Sequence, residues 1–180
     1  MSMLISQNGK VYINNTNVNN MLSPVKVGKF IITDAATQFI NKQLNEANVN
    51  NLFQFVPKYI QTLCLEKKLI PTKASIFKTQ SDDSISQTRS NASQTPHINA
   101  GDELHCFFDG SYIIYFNINN EHYSLVVQAG DWLFIPANVE HWIGTTQDHY
   151  LIIVSYHCEP FDTFHSKVQY TSTKSNAFLK

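Results

Sequence analysis

Residues with the types and spacing of a metal site are concentrated in the second half of this 180-residue sequence. All seven histidines lie between His97 and His165, whereas histidines without a shared function would scatter along the whole chain. The spacing has two parts, H-x-N-x3-E-x6-G and then G-x5-P-x4-H, formed by His97, Asn99, Glu103 and Gly110, followed by Gly130, Pro136 and His141. Two imidazoles and one carboxylate on one face of an ion form the facial triad that suits non-haem Fe(II). We therefore predict that His97, Glu103 and His141 converge on a divalent metal.

Strand geometry explains why this spacing can assemble a site. Alternate residues of a strand face the same side, so His97 and Asn99 can share one face, which Glu103 re-enters after a short turn. A glycine permits the tight turn before the next strand, and Pro136 ends that strand so that His141 can project inward from its neighbour.

His105 is the predicted catalytic residue. It follows Glu103 by two positions and therefore points to the same side of the strand. An imidazole there can act as an acid or base near neutral pH, or can serve as a fourth ligand. A histidine that is simply hydrogen-bonded inside the barrel is the alternative. We interpret His122, His149 and His165 as packing or hydrogen-bonded residues.

Two kinds of element must position these residues. From Thr33 to about Lys68, apolar residues recur at helical spacing, and we predict two amphipathic helices, the first capped by Thr33 or Asp34 and the second opened by Pro57.

From Leu69 onward, short runs rich in Val, Ile, Tyr and Phe alternate with Gly, Asn and Asp. These runs predict antiparallel hairpins of a sandwich or small barrel. The predicted strands are Ala74–Phe77, Glu103–Phe108, Tyr112–Ile118, His122–Gln128, Trp132–Ile135 and Tyr150–Tyr156. The polar stretch Thr79–Gln94 predicts a long loop.

The overall composition favours a globular protein. Hydrophobic residues make up 43% of the chain and charged residues 15%, and the formal net charge is -1. Because phosphate backbones and anionic lipids attract basic surfaces, we expect no nucleic-acid partner. The sequence has no apolar run of about 18 residues and no signal-peptide pattern, so we expect no membrane partner and a cytoplasmic location. The three cysteines form no C-x-x-C pair, and we interpret them as buried hydrophobic residues.

The two-part spacing resembles the cupin superfamily, and the chain resembles the acireductone dioxygenase family within it. Residues 40–55 and 59–70 are similar to that family's helices, and His97–Gly110 and Ala129–Trp142 are similar to its two metal-bearing segments. The resemblance implies a mainly β fold, a cupin (double-stranded β-helix, jelly-roll) barrel with two or more N-terminal helices packed outside. The expected organisation is one domain over residues 1–180, with a helical region at 1–70, the barrel at 71–165 and a C-terminal tail at 166–180.

The resemblance also implies an enzyme of methionine salvage. Family members use Fe(II) and O2 to cleave an acireductone, a methylthio-substituted enediol ketone, to formate and 2-keto-4-methylthiobutyrate, and with Ni(II) they release carbon monoxide. The implied metal positions are His97, Asn99, Glu103 and His141. We expect Fe(II) or Ni(II) first, with Mn, Co or Zn as alternatives because imidazole and carboxylate accept all of them.

Three positions depart from the family pattern. The family motif is H-x-H-x3-4-E, and Asn99 occupies the second histidine position, where an amide oxygen is a poorer ligand than imidazole. His105 and Ser155 stand where the family has arginines. Arg89 is the only arginine in the sequence, and it lies in the polar loop.

Three functions are compatible with these features. The first is a metal-dependent dioxygenase acting on an acireductone or a related enediol or diketone, with a small-molecule substrate and O2 as its partners. The second is a non-catalytic cupin that senses or binds a small molecule, which the three departures favour. The third is a metal-dependent isomerase or hydrolase in the same barrel, because a fold does not fix a function. The sequence leaves monomer and homodimer equally open.

Overall fold

The computed structural model describes residues 2–78, 95–144, 150–158 and 169–170. The predicted loop Thr79–Gln94, with Arg89, lies outside the described residues, as do His149 and His165. Both predicted helices are present, as α2 (Asp34–Lys42) and α3 (Lys58–Glu66).

Local sequence explains where these two helices begin. Thr33 caps α2, because its side-chain oxygen accepts a hydrogen bond from the backbone N–H of Ala36 at 3.2 Å. Pro57 is the residue before α3, as predicted. The apolar spacing continues past Lys42, but the chain leaves α2 there and forms a 3-10 helix at Val49–Phe55.

The predicted helical region over residues 1–70 is only partly helical. Its first 29 residues contain the short helix α1 (Asn15–Met21) and three strands, β1 (Met3–Ser6), β2 (Val11–Tyr12) and β3 (Lys26–Lys29). These strands are too short to stand out in sequence, and they are stabilised by pairing with distant segments: β1 pairs with the strand Glu121–Gln128, and β3 pairs with the strand Asp131–Ile135.

All six predicted strands are confirmed. The strands of the second half are β4 (Ile70–Lys78), β5 (His97–Ile98), β6 (Glu103–Asp109), β7 (Ser111–Ile118), β8 (Glu121–Gln128), β9 (Asp131–Ile135), β10 (Glu140–Ile143), β11 (Tyr150–His157) and β12 (Gln169–Tyr170). The last of these falls in the predicted C-terminal tail and pairs with β5. The turn before β8 uses Asn119 and Asn120, both with positive φ, which matches the turn chemistry of a tight hairpin.

The strands form two sheets. The seven-stranded sheet has the order β12-β5-β10-β7-β8-β1-β2, and the five-stranded sheet has the order β3-β9-β6-β11-β4. One apolar cluster joins side chains of both sheets, such as Phe116 and Leu125 of the first and Phe107 and Leu133 of the second. The sheets therefore face each other across a shared interior.

A second apolar cluster lies on the outer face of the five-stranded sheet. There Leu104 and Val154 pack together with buried residues of α2 and α3, including Ala36 and Ile60. Because strand residues alternate between faces, odd-numbered residues of β6 and β11 point to the interior, as Phe107 and its neighbours in the first cluster confirm. None of the helices in the described part of the chain has the length and hydropathy needed to span a bilayer.

Candidate metal centre

Two histidines of the seven-stranded sheet stand side by side at one end of the interior. His97 on β5 is the direct antiparallel partner of His141 on β10, and their ring centroids are 4.5 Å apart. Both residues are buried. The structure therefore brings together two of the three side chains that the sequence assigns to a metal.

Glu103 reaches the same place from the opposite sheet. It is the first residue of β6, and its buried carboxylate oxygen Oε1 lies 2.9 Å from Nε2 of His141. The contact crosses the interior between the two sheets. His97, Glu103 and His141 thus lie next to one another, as their spacing predicts.

Asn99 lies beside this group and orients its carboxylate. Its amide Nδ2 donates a hydrogen bond to Glu103 Oε1 at 3.0 Å. Its amide oxygen Oδ1 is buried, and among the described residues it has no hydrogen-bond partner. A buried polar atom without a partner is costly, so this oxygen marks a place where a cation or a water would be stabilising.

The backbone fixes the orientation of both histidine rings. Nδ1 of His97 lies 2.7 Å from the carbonyl oxygen of Thr95, and Nδ1 of His141 lies 2.9 Å from that of Val139. A carbonyl only accepts hydrogen bonds, so Nδ1 carries the proton in each ring. A neutral ring then has a bare lone pair at Nε2, which is the state of a histidine ligand.

For His141 that lone pair faces a carboxylate oxygen. Two lone pairs at 2.9 Å repel each other, so the contact is favourable only if Nε2 is also protonated or if a cation lies between the two atoms. As the side chains stand, no group of three or more His, Cys, Asp or Glu in the described part of the chain has the arrangement of a metal-binding set.

The charges of this pair support each other. Burial alone raises the pKa of the Glu103 carboxyl, but the charge of His141 and contacts from three histidines, His141 included, outweigh burial and hold this pKa well below its usual range. Burial alone lowers the pKa of His141, but Glu103 reverses the effect and the pKa is raised. The site therefore favours a negative carboxylate facing positive charge.

His105 contacts the other oxygen of the same carboxylate. Its Nε2 lies 3.2 Å from Glu103 Oε2, and 16% of its side chain is exposed, compared with 5% for Glu103. On the neighbouring strand Ser155 is its register partner, and Ser155 Oγ lies 2.9 Å from His105 Nδ1. The two residues that stand at the family's arginine positions therefore form a hydrogen-bonded pair.

His157 is a further member of the site that sequence reasoning missed. It is buried on β11, directly opposite Glu103 in register, and its Nε2 lies 3.6 Å from Glu103 Oε2. The predicted strand ended at Tyr156, one residue too early. One signal in the sequence could have identified it. Alternate residues of a strand share a face, so His157 lies on the same inner face as Ser155, two positions earlier.

The remaining candidates lie elsewhere. His122 lies on the outer face of its strand, because its neighbour Tyr123 belongs to the interior cluster. The ring of His122 contacts Trp142, with the ring centroids 6.0 Å apart. Cys64 and Cys106 are buried in the outer cluster, and burial raises the pKa of the Cys64 thiol to about 12. A thiol that stays protonated is a poor nucleophile and a poor ligand.

Comparisons with a protein-family model, curated proteins and solved structures show which proteins this chain is similar to. Residues 73–156 match the model of the ARD/ARD' family. Two curated relatives are both named acireductone dioxygenase. The protein from Leptospira biflexa is 37% identical over 60 residues, which is 33% of this chain and 34% of the relative. The protein from Saccharopolyspora erythraea is 37% identical over 54 residues, 29% of this chain and 28% of the relative.

The aligned segments thus span about a third of each curated relative. A solved structure shows the similarity of the fold over nearly the whole chain. It is the acireductone dioxygenase from Bacillus anthracis with a cadmium ion in its active centre, with a TM-score of 0.74, 15% identity, and coverage of 88% of this chain and 94% of that one. The predicted cupin fold, mainly β with helices, is confirmed.

Proposed function

We propose that the chain is a divergent member of the acireductone dioxygenase family and that it is a metal-dependent dioxygenase that cleaves an acireductone or a related enediol ketone with O2. One observation carries the proposal: His141 Nε2, with its Nδ1 proton held by a carbonyl, faces Glu103 Oε1 at 2.9 Å inside the barrel. That arrangement needs positive charge between or on the two groups. A divalent cation supplies it.

The dimensions of the site fit such an ion. Metal–nitrogen and metal–oxygen bonds are about 2.0 to 2.2 Å long, so two donors on one ion lie about 2.8 to 3.1 Å apart at octahedral angles and about 3.3 to 3.6 Å apart at tetrahedral angles. The separation of 2.9 Å between the two atoms lies within the octahedral range. Asn99 Oδ1 is buried and has no hydrogen-bond partner among the residues that the structure describes, so it is available as a further donor. His97, Asn99, Glu103 and His141 are therefore the proposed metal residues.

The proposed ion is Fe(II) or Ni(II), with Mn, Co or Zn as alternatives. Imidazole and carboxylate accept all of these metals. The Bacillus anthracis relative holds cadmium in its active centre, which supports a divalent ion in this chain. When bound, the ion supplies Lewis acidity and positive charge for an electron-rich enediol and leaves positions open for a small molecule and O2.

His105 is the proposed acid–base residue. It is the most exposed of the three histidines around Glu103, because 16% of its side chain is accessible compared with 6% for His141 and 5% for His157. Its bond to Ser155 Oγ fixes the ring. A fixed, partly accessible imidazole can hold or release a proton of an enediol beside the metal. It would take over the polar role of the two arginines that the family has and this chain lacks.

Metal content and oxygen consumption test the proposal together. The protein is purified without chelator and without nickel resin, its metals are measured by mass spectrometry, and oxygen uptake is recorded with an acireductone. About one Fe or Ni per chain with oxygen uptake supports the dioxygenase of methionine salvage. Bound metal without oxygen uptake supports the alternative, a cupin that binds or senses a small molecule. Turnover without oxygen supports an isomerase or hydrolase.

A further inference from the structure

His157 brings an imidazole to the carboxylate of Glu103, in a chain that lacks one histidine of the family's metal motif. The family pattern has three histidines and one glutamate, and Asn99 replaces the second histidine. We propose that His157 is the third imidazole ligand of the metal centre and that Asn99 supports the site by holding Glu103. This inference rests on the metal-dependent function proposed above. It assigns the fourth ligand to His157 on β11 in place of Asn99, which follows β5.

The position of His157 is set by its strand. In register it stands directly opposite Glu103 on the adjacent strand, where paired side chains are close enough to share a partner. Its backbone N–H donates to Thr72 Oγ1 at 3.1 Å, and the next N–H, of Cys158, donates to the carbonyl oxygen of Asp102 at 3.3 Å. The end of β11 is therefore tied to both of its neighbours at the level of the site.

The distance from His157 to the carboxylate favours a shared ion over a hydrogen bond. Its Nε2 lies 3.6 Å from Glu103 Oε2, which is too long for a hydrogen bond. Donors that share an ion lie about 2.8 to 3.6 Å apart, from octahedral to tetrahedral angles, so the separation between His157 and Glu103 lies at the upper end of that range. Only 5% of its side chain is exposed, so water cannot replace that interaction freely.

The two oxygens of Glu103 have different surroundings. Oε1 already contacts Asn99 Nδ2 at 3.0 Å and His141 Nε2 at 2.9 Å. Through Nδ2, Asn99 therefore acts as a hydrogen-bond donor to the carboxylate, which is the behaviour of a residue that positions a ligand. Oε2 faces the imidazoles of His105 and His157.

His157 is the more deeply buried of these two histidines, with 5% of its side chain exposed compared with 16% for His105, and burial favours it as the ligand. The more exposed ring of His105 suits contact with a substrate. His157 is buried as deeply as Glu103 itself. The resulting set, His97, Glu103, His141 and His157, has the three imidazoles and one carboxylate of the family pattern, with one imidazole supplied by β11.

X-ray absorption spectroscopy of the Co(II)-loaded protein tests this proposal directly, because it counts the imidazoles bound to the ion. Three variants are compared: wild type, His157→Gln, and the matched control His122→Gln, whose residue lies on the other face of its sheet. We expect three imidazoles in the wild type and the control and two in His157→Gln. We also expect Co(II) binding, measured by calorimetry, to weaken at least about 10- to 100-fold in His157→Gln.

The outcomes separate the two proposals. Two imidazoles in the wild type, unchanged in His157→Gln, would overturn the role of His157 and leave the metal-dependent function intact. No Co(II) binding by the wild type would overturn the metal centre itself. If His157→Gln does not fold, the imidazole count of the wild type still decides, since two imidazoles contradict the proposal and three support it.

Discussion

The two walls of the candidate site are built in different ways. On the seven-stranded sheet, His97 and His141 are each oriented by a carbonyl two residues earlier in the chain, Thr95 and Val139. On the five-stranded sheet, Glu103, His105 and His157 contact side chains from other segments of the chain. The first wall follows from local backbone geometry, and the second depends on the register of β6 and β11.

The two walls also differ in how closely their residues match the motif of the acireductone dioxygenase family. Both histidines of the first wall match the family spacing, whereas His105, Ser155 and the unforeseen His157 lie in the second wall. Asn99, next to β5, is the exception on the first side. A ring held by its own backbone tolerates changes around it, while rings held across strands must change together with their partners. The predictions below test this difference, from the largest expected effect to the smallest.

Glu103→Gln removes the carboxylate that contacts histidines of both walls. Glutamine keeps the volume of the side chain but loses the negative charge, so two or more imidazoles have no anionic partner and a cation has no carboxylate. We expect metal content to fall from about one ion per chain to near zero, measured by mass spectrometry. The control Glu66→Gln, at the exposed end of α3, keeps its metal. Full metal content in Glu103→Gln would contradict a shared carboxylate.

His141→Ala and His105→Ala test whether one histidine of each wall differs in role. Removing His141 takes away a ligand, so stoichiometric metal should be lost, with affinity weakened by at least about 100-fold. Removing His105 should leave metal bound and lower turnover about 100-fold, the usual scale of an acid–base residue. Metal titration and oxygen uptake are measured on both variants. Equal metal loss in the two variants would show that His105 is also a ligand.

Asn99→His returns an imidazole to the first wall. Imidazole is a better ligand than an amide for these metals, so we expect binding to tighten about 10-fold by calorimetric titration, the low end of a ligand-site effect. The sharper form uses the double variant Asn99→His with His157→Gln, which should recover the affinity that His157→Gln alone loses. Unchanged affinity in Asn99→His and no recovery in the double variant would mean that position 99 is not equivalent to a ligand position.

Ser155→Ala has the smallest expected effect. It removes one hydrogen bond to His105 Nδ1 and leaves the metal residues untouched. The free energy of unfolding should fall by about 0.5 to 1.5 kcal/mol, the net value of one hydrogen bond, measured by urea denaturation. Metal affinity should not change. A large loss of metal would show that the Ser155–His105 pair supports the metal residues directly.

The strands that the sequence predicted are those with strong local signals. Six runs of apolar and β-branched residues, bounded by turn residues such as Asn119 and Gly130, all became strands. The segments MLIS, VY and KVGK near the N-terminus carry no comparable pattern, and they were missed. They become strands because they complete the edges of the two sheets, and such long-range pairing cannot be read from a few residues.

The candidate site was predictable to the same extent. His97, Asn99, Glu103 and His141 were identified from spacing, and the structure brings them together. Their role as metal residues stays a prediction. His157 could not be paired with Glu103 from sequence, because the two residues are 54 positions apart (157 − 103) and are joined only by the register of their strands.

The sequence by itself determined helices α2 and α3, the hairpins of the second half and a set of candidate site residues, because these depend on periodicity, turn residues and short spacing. Only the tertiary structure decided which atoms face which. It placed His141 against Glu103, gave Asn99 the role of donor, and brought His105 and His157 to the same carboxylate. The physical reason is that cross-strand register and burial set these distances, and neither is encoded within a single segment of the chain.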